Sequence, residues 1–163
     1  ENVVIITGAG GSGVLLSDAC VDNGLNLMAM PSDLDAAFRK FIPPFGAAGN
    51  PVDITGGEPP TTYQNTVRLG LEDERIHSLI LGYWHTIIPP PMVFAKVITE
   101  VVQEMRDKGI DKPVVASLAG DVQVEEAADY LYQHGIVAYP YSTETPVAVL
   151  GAKYKWARAA GLL

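Results

Sequence analysis

The sequence predicts a three-layer α/β/α domain whose five strands form one parallel, doubly wound sheet in the order 2-1-3-4-5. Short β-branched runs alternate with helical patterns along the whole chain, and a glycine-dense loop joins the first run to the first helix. The 163 residues, 48% of them apolar, allow one substantial core and are too few for two ordinary domains, so residues 1–163 are read as one domain. Parallel neighbours need a right-handed crossover, which puts helices on both faces of the sheet. Ligands then collect at the carboxyl ends of strands one and three.

The first strand is the apolar run at residues 2–7, followed by Gly8-Ala9-Gly10-Gly11-Ser12-Gly13 and a helix carrying Val14, Leu15, Asp18, Ala19 and Asp22. Asn23-Gly24 closes that helix, and residues 25–30 read as strand two. A short helix capped by Ser32 or Asp33 runs toward Phe41 and stops at Pro43-Pro44. Residues 45–60, with Asn50-Pro51-Val52-Asp53 at their centre, read as irregular, and loops of such length are usually functional or disordered. Tyr63, Val67, Gly70 and Leu71 mark the next helix, and residues 76–83 the third strand.

Trp84-His85-Thr86 and Pro89-Pro90-Pro91 form a stiff loop before an amphipathic helix with Val93, Val97, Ile98, Val101, Val102 and Met105 on one side. Gly109 ends it. Residues 114–118 are the fourth strand; Asp121 caps a helix reaching His134, which Gly135 stops. Residues 136–139 are the fifth strand. Ser142 or Thr145 caps the last helix, with Val147, Leu150, Gly151 and Tyr154 facing inward.

The net charge of -8 comes without a basic cluster, which argues against nucleic acid as a partner. The longest uncharged apolar run, residues 78–94, contains three consecutive prolines, a histidine and a tryptophan, so it is not read as a membrane helix. Cys20, the single cysteine, excludes an internal disulfide, so a reducing, cytoplasmic setting is expected; placed among apolar helix residues, it reads as a buried, inert thiol. The chain enters an apolar strand directly after Glu1, from which we expect a piece of a longer polypeptide without a leader of its own.

Gly8-x-Gly10-x-x-Gly13 satisfies the dinucleotide fingerprint between a strand and a helix. The acid that would bind a ribose is missing at the tip of strand two, where Ala29, Met30 and Pro31 stand; Asp33, the nearest, reads as a helix cap. No Gly-Lys-Ser/Thr follows, which excludes a P-loop. Every anion-binding reading shares one physical content: glycines let backbone amides converge, and the helix that follows adds a positive end of roughly half a charge. A tight turn with close helix-to-sheet packing is the structural alternative.

The segments 7–14, Asn50-Pro51-Val52-Asp53-Ile54, Lys112-Pro113-Val114-Val115-Ala116-Ser117, and Gly135-Ile136 leading to Tyr139-Pro140 occur in an order that resembles one family. This is the flavodoxin-like last α/β domain in the α part of NDP-forming acyl-CoA synthetases, the ADP-forming acetate–CoA ligase relatives of succinyl-CoA synthetase. The resemblance covers nearly the whole chain. It implies an enzyme that joins a carboxylic acid to CoA while ATP becomes ADP and phosphate, with CoA, ATP and Mg serving the full enzyme and none bound by this domain alone. A histidine of a neighbouring domain carries the phosphoryl group, gripped by two helix N-termini, one of which corresponds to Gly10, Gly11, Ser12 and Gly13 here. Gly8 stands where the family commonly has asparagine, so that amide's hydrogen bond is absent. The partners implied are the CoA-binding, histidine-bearing and ATP-grasp domains.

The family's histidine sits in a Ser-His-Thr-Gly setting, and His77, His85 and His134 have no such neighbours, so the chain is expected to lack the nucleophile and, alone, to have no turnover. His77 and His134 read as structural. His85, following strand three, is a candidate for a ligand or interface role, as are Asn50 and Asp53; the carboxylate of Asp53 could instead orient a loop by accepting backbone amides. Glu125, Glu126 and Asp129 read as a solvated helix side, and no metal is assigned. Trp84 and the three prolines form an apolar surface on which another domain could dock. Two other classes remain open: an NAD(P)-binding dehydrogenase module, and a regulatory domain that binds a small anion or FMN.

Overall fold

A computed structural model describes residues 2–86 and 88–163. In chain order the elements are β1 (Asn2–Thr7), α1 (Gly10–Asp22), β2 (Asn26–Leu27), α2 (Ser32–Phe38), β3 (Val52–Asp53), α3 (Pro60–Glu72), β4 (Ser78–Trp84), α4 (Pro91–Asp107), β5 (Val114–Ala119), α5 (Gln123–Gln133), β6 (Val137–Pro140) and α6 (Glu144–Ala159). All strand pairs are parallel, in the order β2-β1-β4-β5-β6, with β3 added beside β1. The expected doubly wound order is therefore present, and its five strands are joined by a sixth.

Side chains alternate across the sheet as strand geometry demands. Val3, Ile5, Ile80 and Val115 pack with Leu16, Cys20, Val147 and Leu150 beneath α1 and α6. Val4, Ile6, Leu79 and Leu81 face the other way, into the core formed with α2 to α5. Burial pushes the Cys20 thiol up to about 12, which removes it from thiolate chemistry at neutral pH. Gly109 and Gly135 hold φ near +82° and +75° just beyond α4 and α5, the left-handed conformation expected of a helix stop.

Some elements differ from expectation. Strand two is two residues long, and the segment read as irregular contains β3. Both pair with the same edge of β1: Asn2 and Val3 lie beside Asn26 and Leu27, whereas Ile6 and Thr7 lie beside Val52 and Asp53. The Asn50 side chain spans the gap between them. Its Oδ1 accepts the Ile5 N–H at 3.0 Å, and its Nδ2 donates to the carbonyls of Val3 at 2.8 Å and Met28 at 3.1 Å. An amide side chain carries a donor and an acceptor as the peptide does, so it continues the ladder where the main chain departs.

Asp33 is no helix cap; its carboxylate binds the Arg75 guanidinium at 2.8 and 3.1 Å. Val93 is exposed on α4, and Phe94 and Ala95 are buried in its place. The rest of the expected stripe holds, with Ile98, Val101, Val102 and Met105 buried.

Removing the Asn50 amide by Asn50→Ala leaves an N–H and two carbonyls of a part-buried sheet edge unpaired. We expect a loss of about 2–4 kcal/mol, read from the urea midpoint at unchanged m-value. Asn50→Asp should cost at least as much, because it turns a donor toward two carbonyls into an acceptor.

Candidate functional site

The carboxyl end of β1 turns into α1 through Gly8 and Ala9. The Thr7 hydroxyl donates to the Ala9 carbonyl at 3.0 Å and accepts the Ala9 N–H at 3.1 Å, while the Gly8 N–H donates to the Gly82 carbonyl at 3.1 Å on β4. Ala9 occupies the N-cap position without a side-chain bond, and the first turn of α1 holds no acidic residue. The amides of Gly10, Gly11 and Ser12 thus have no acceptor among the described residues, and Gly10 and Gly11 are exposed. Three unpaired N–H groups at the positive end of a 13-residue helix form a cradle suited to an anion.

Gly13 belongs to a different task. Its N–H donates to the Ala9 carbonyl at 3.0 Å, inside the helix ladder. A β-carbon there would stand 3.0 Å from Thr7 Cγ2 and 3.2 Å from the Pro51 ring, so Gly13 permits α1 to lie close on β1 and the 50–53 segment. Of the four residues singled out from the sequence, three leave their amides unpaired, Gly10 and Gly11 exposed and Ser12 buried, and the fourth seats the helix.

Gly8 is equally constrained. A β-carbon at this position would collide with the Tyr63 hydroxyl, which reaches up from α3 and lies 3.4 Å from the Gly82 carbonyl. Tyr63 is buried, which drives its phenol well above the ordinary range and keeps it a neutral hydrogen-bonding group. The space beside Gly8 is thus taken by a tyrosine hydroxyl from another element. Tyr63 is legible in the sequence only as an apolar-face helix residue.

Asp53 closes the other side of the loop. β3 sets it beside Thr7, and it exchanges backbone hydrogen bonds with Ala47 at 2.8 and 3.0 Å. Its Oδ1 accepts the Thr55 N–H at 2.8 Å, as expected of a loop-orienting aspartate, and its Oδ2 reaches toward Gly10. Asn50, by contrast, lies back along the sheet edge, with both amide hydrogens donated there. The structure therefore brings Asp53, but not the Asn50 side chain, to the loop.

His85 follows β4 at the carboxyl end of the sheet, toward β5: its N–H donates to the Ala119 carbonyl at 2.7 Å, and its Nδ1 lies 3.1 Å from Asp121 Oδ1. The Asp121 carboxyl is held below its usual range, chiefly by the Gln123 backbone N–H. His77 Nδ1 accepts the Asn2 N–H at 2.9 Å, and His134 stacks on Tyr130 at the end of α5, both in line with structural roles. Glu125, Glu126 and Asp129 are exposed. Among the described residues no three His, Cys, Asp or Glu side chains are grouped as metal ligands, and no helix is long and apolar enough to cross a membrane.

An open depression of about 460 Å³, lined by Gly56, Gly57, Thr86 and Ile88, adjoins the loop; a β-carbon on Gly56 would be 3.5 Å from the Gly8 carbonyl. Trp84 and Ile88 are exposed at this end, as are Val14 and Leu15 in the first half of α1. A more enclosed cavity of about 180 Å³, lined by residues that include His77, Pro113 and Lys153, lies at the amino end of the sheet, away from the free amides.

The ligase-CoA domain family matches residues 3–163. The chain belongs to this family. In sequence and in its flavodoxin-like fold it is similar to a domain of ADP-forming acetate–CoA ligases. The ligase-CoA domain is 37% identical over 158 residues to the α subunit of acetate–CoA ligase (ADP-forming) I of Pyrococcus furiosus, covering 97% of this chain and 33% of that protein. The apo structure of dinucleotide forming acetyl-coenzyme A synthetase 1 from Candidatus Korarchaeum cryptofilum superposes with a TM-score of 0.89 at 34% identity, over 98% of this chain and 34% of that one. A second structure of that protein, in complex with phosphate and ADP, gives 0.88 at 33% identity, over 97% and 33%. The ligase-CoA domain thus spans about a third of the length of these relatives.

Gly8→Asn, the exchange toward the common family residue, should destabilise this chain by about 1–3 kcal/mol because Tyr63 already fills the space. Tyr63→Ala in the same chain should make the Gly8→Asn step less costly, and a double-mutant cycle in urea reads the coupling directly.

Proposed function

We propose that this ligase-CoA domain holds the phosphorylated histidine of a neighbouring domain, within an enzyme that converts a carboxylic acid, CoA and ATP to acyl-CoA, ADP and phosphate. The observation that carries this reading is the set of unpaired amides of the exposed Gly10 and Gly11 and the buried Ser12 in the first turn of α1, in a chain of this family. A phosphoryl dianion is the group such an end favours, each helix N-terminus contributing on the order of 1 kcal/mol. A backbone cradle needs no side chain to change protonation, so it holds a transferable group without reacting with it.

On this reading the chemistry is shared between parts. The chain's own histidines lack the Ser-His-Thr-Gly setting, so the nucleophile comes from the histidine-bearing domain, and the isolated ligase-CoA domain has no turnover. CoA and ATP with its Mg ion belong to the CoA-binding and ATP-grasp domains; the residues described here supply no grouped metal ligands. The exposed Trp84 and Ile88, beside the depression next to the loop, suit the surface on which the histidine-bearing domain docks.

Gly11 offers a clean test, because a β-carbon there meets no atom within 4 Å. Titrating the chain with millimolar phosphate should shift the Gly10, Gly11 and Ser12 amide resonances selectively. Gly11→Glu should leave the fold as stable or slightly more so, since an acid suits a helix start, yet weaken phosphate binding about tenfold or more. Phosphate that binds elsewhere, or equally well to the variant, overturns the proposal.

A further inference from the structure

The enclosed cavity at the amino end of the sheet has the make-up of a ligand site in its own right. Strand alternation turns Val3 of β1 and its register partner Ser78 of β4 toward the face covered by α1 and α6, where Leu25, Leu150 and Tyr154 help to line a space of about 180 Å³. Ser78 is only 6% exposed, yet its hydroxyl has no hydrogen-bond partner among the described residues and opens onto this space. A buried hydroxyl left unpaired is costly and is ordinarily met by a ligand or a water. Lys153 lines the same cavity from α6, and its ammonium meets no carboxylate among the described residues. The adjoining cavity of about 170 Å³ adds Arg106 and Lys112, with Asp111 as the one carboxylate in its lining, and Arg106 already binds that carboxylate at 3.1 Å. In a chain of net charge -8, an apolar interior with cationic surroundings stands out.

We propose that this cavity is a binding site for a small monocarboxylate with a short apolar tail. The apolar walls take the tail, the Ser78 hydroxyl donates to a carboxylate oxygen, and the Lys153 ammonium lies against the head group. The volume bounds the occupant: an aliphatic cavity of about 150 Å³ holds benzene, so roughly six to eight non-hydrogen atoms fit here. A nucleotide is far too large, and a bare inorganic anion gains nothing from the apolar walls. The site lies at the opposite end of the sheet from the glycine loop and makes no use of it, so it stands or falls apart from the phosphoryl reading.

Pentanoate, pentan-1-ol and pentylammonium, titrated in turn into the chain at neutral pH, test the assignment through the methyl resonances of Val3, Leu25 and Leu150 and the amides of Gly10 to Ser12. Pentanoate should move those methyls, leave the amides still, and bind about fivefold more tightly than the alcohol or the amine. Ser78→Ala removes a hydroxyl that bonds to nothing in the fold, so it should keep or raise the thermal midpoint while weakening pentanoate about fivefold. Lys153→Met retains an apolar stem at an exposed position and should weaken pentanoate about three- to fivefold, with the alcohol unchanged. Methyls that respond equally to all three probes reduce the cavity to an apolar void and overturn the proposal. So does a Ser78→Ala chain that binds pentanoate undiminished, or one that loses stability and so gives the hydroxyl a structural role. Pentanoate that leaves the methyls unmoved overturns it outright.

Discussion

One edge of β1 governs the functional end of this molecule. β2 pairs with its first two residues, β3 with its last two, and the Asn50 side chain supplies the hydrogen bonds between them. An edge group of this kind must be satisfied by something. Because an amide side chain does it, the following residues are delivered in register: Pro51 packs under α1 near Gly13, and Asp53 arrives beside Gly10. The glycine loop is therefore shaped by a segment some forty residues further along the chain as much as by its own residues.

The loop separates two uses of glycine that one motif conceals. Gly8 and Gly13 are spaces: the Tyr63 hydroxyl fills one, and Thr7 with Pro51 crowds the other. Gly10 leaves room for the Asp53 carboxylate, and Gly11 faces open solvent. Steric need thus fades toward the exposed helix start, where backbone polarity takes over. With no side-chain cap and no acid in its first turn, α1 keeps its positive end available for an external group.

Membership in the ligase-CoA domain family and the geometry support each other without duplicating each other. On the proposed function, the family would explain an anion cradle on a domain without the nucleophile's Ser-His-Thr-Gly setting. The geometry accounts for the need for glycine at position 8, since a buried hydroxyl from α3 fills the space a side chain would take. The exposed apolar side chains Trp84, Ile88, Val14 and Leu15 lie at or near the same end, so the candidate site and the surface suited to a partner coincide.

The order of strands and helices was legible because it depends on local pattern: short apolar runs of four to seven residues at β1, β4, β5 and β6, amphipathic stripes on α3 to α6, and glycines such as Gly109 and Gly135 that the left-handed stop requires. The glycine loop and its free amides were legible too, since unpaired N–H groups at a helix start follow from backbone geometry alone. β3, the bridging role of Asn50, the hydroxyl of Tyr63 and the free oxygen of Asp53 were decided only by tertiary structure. A two-residue strand shows no periodicity, and a side chain's partner 19 to 47 residues away leaves no trace in local pattern. Local sequence set which groups the chain could offer; the folded arrangement chose which of them stay unpaired, and chemistry is left to those.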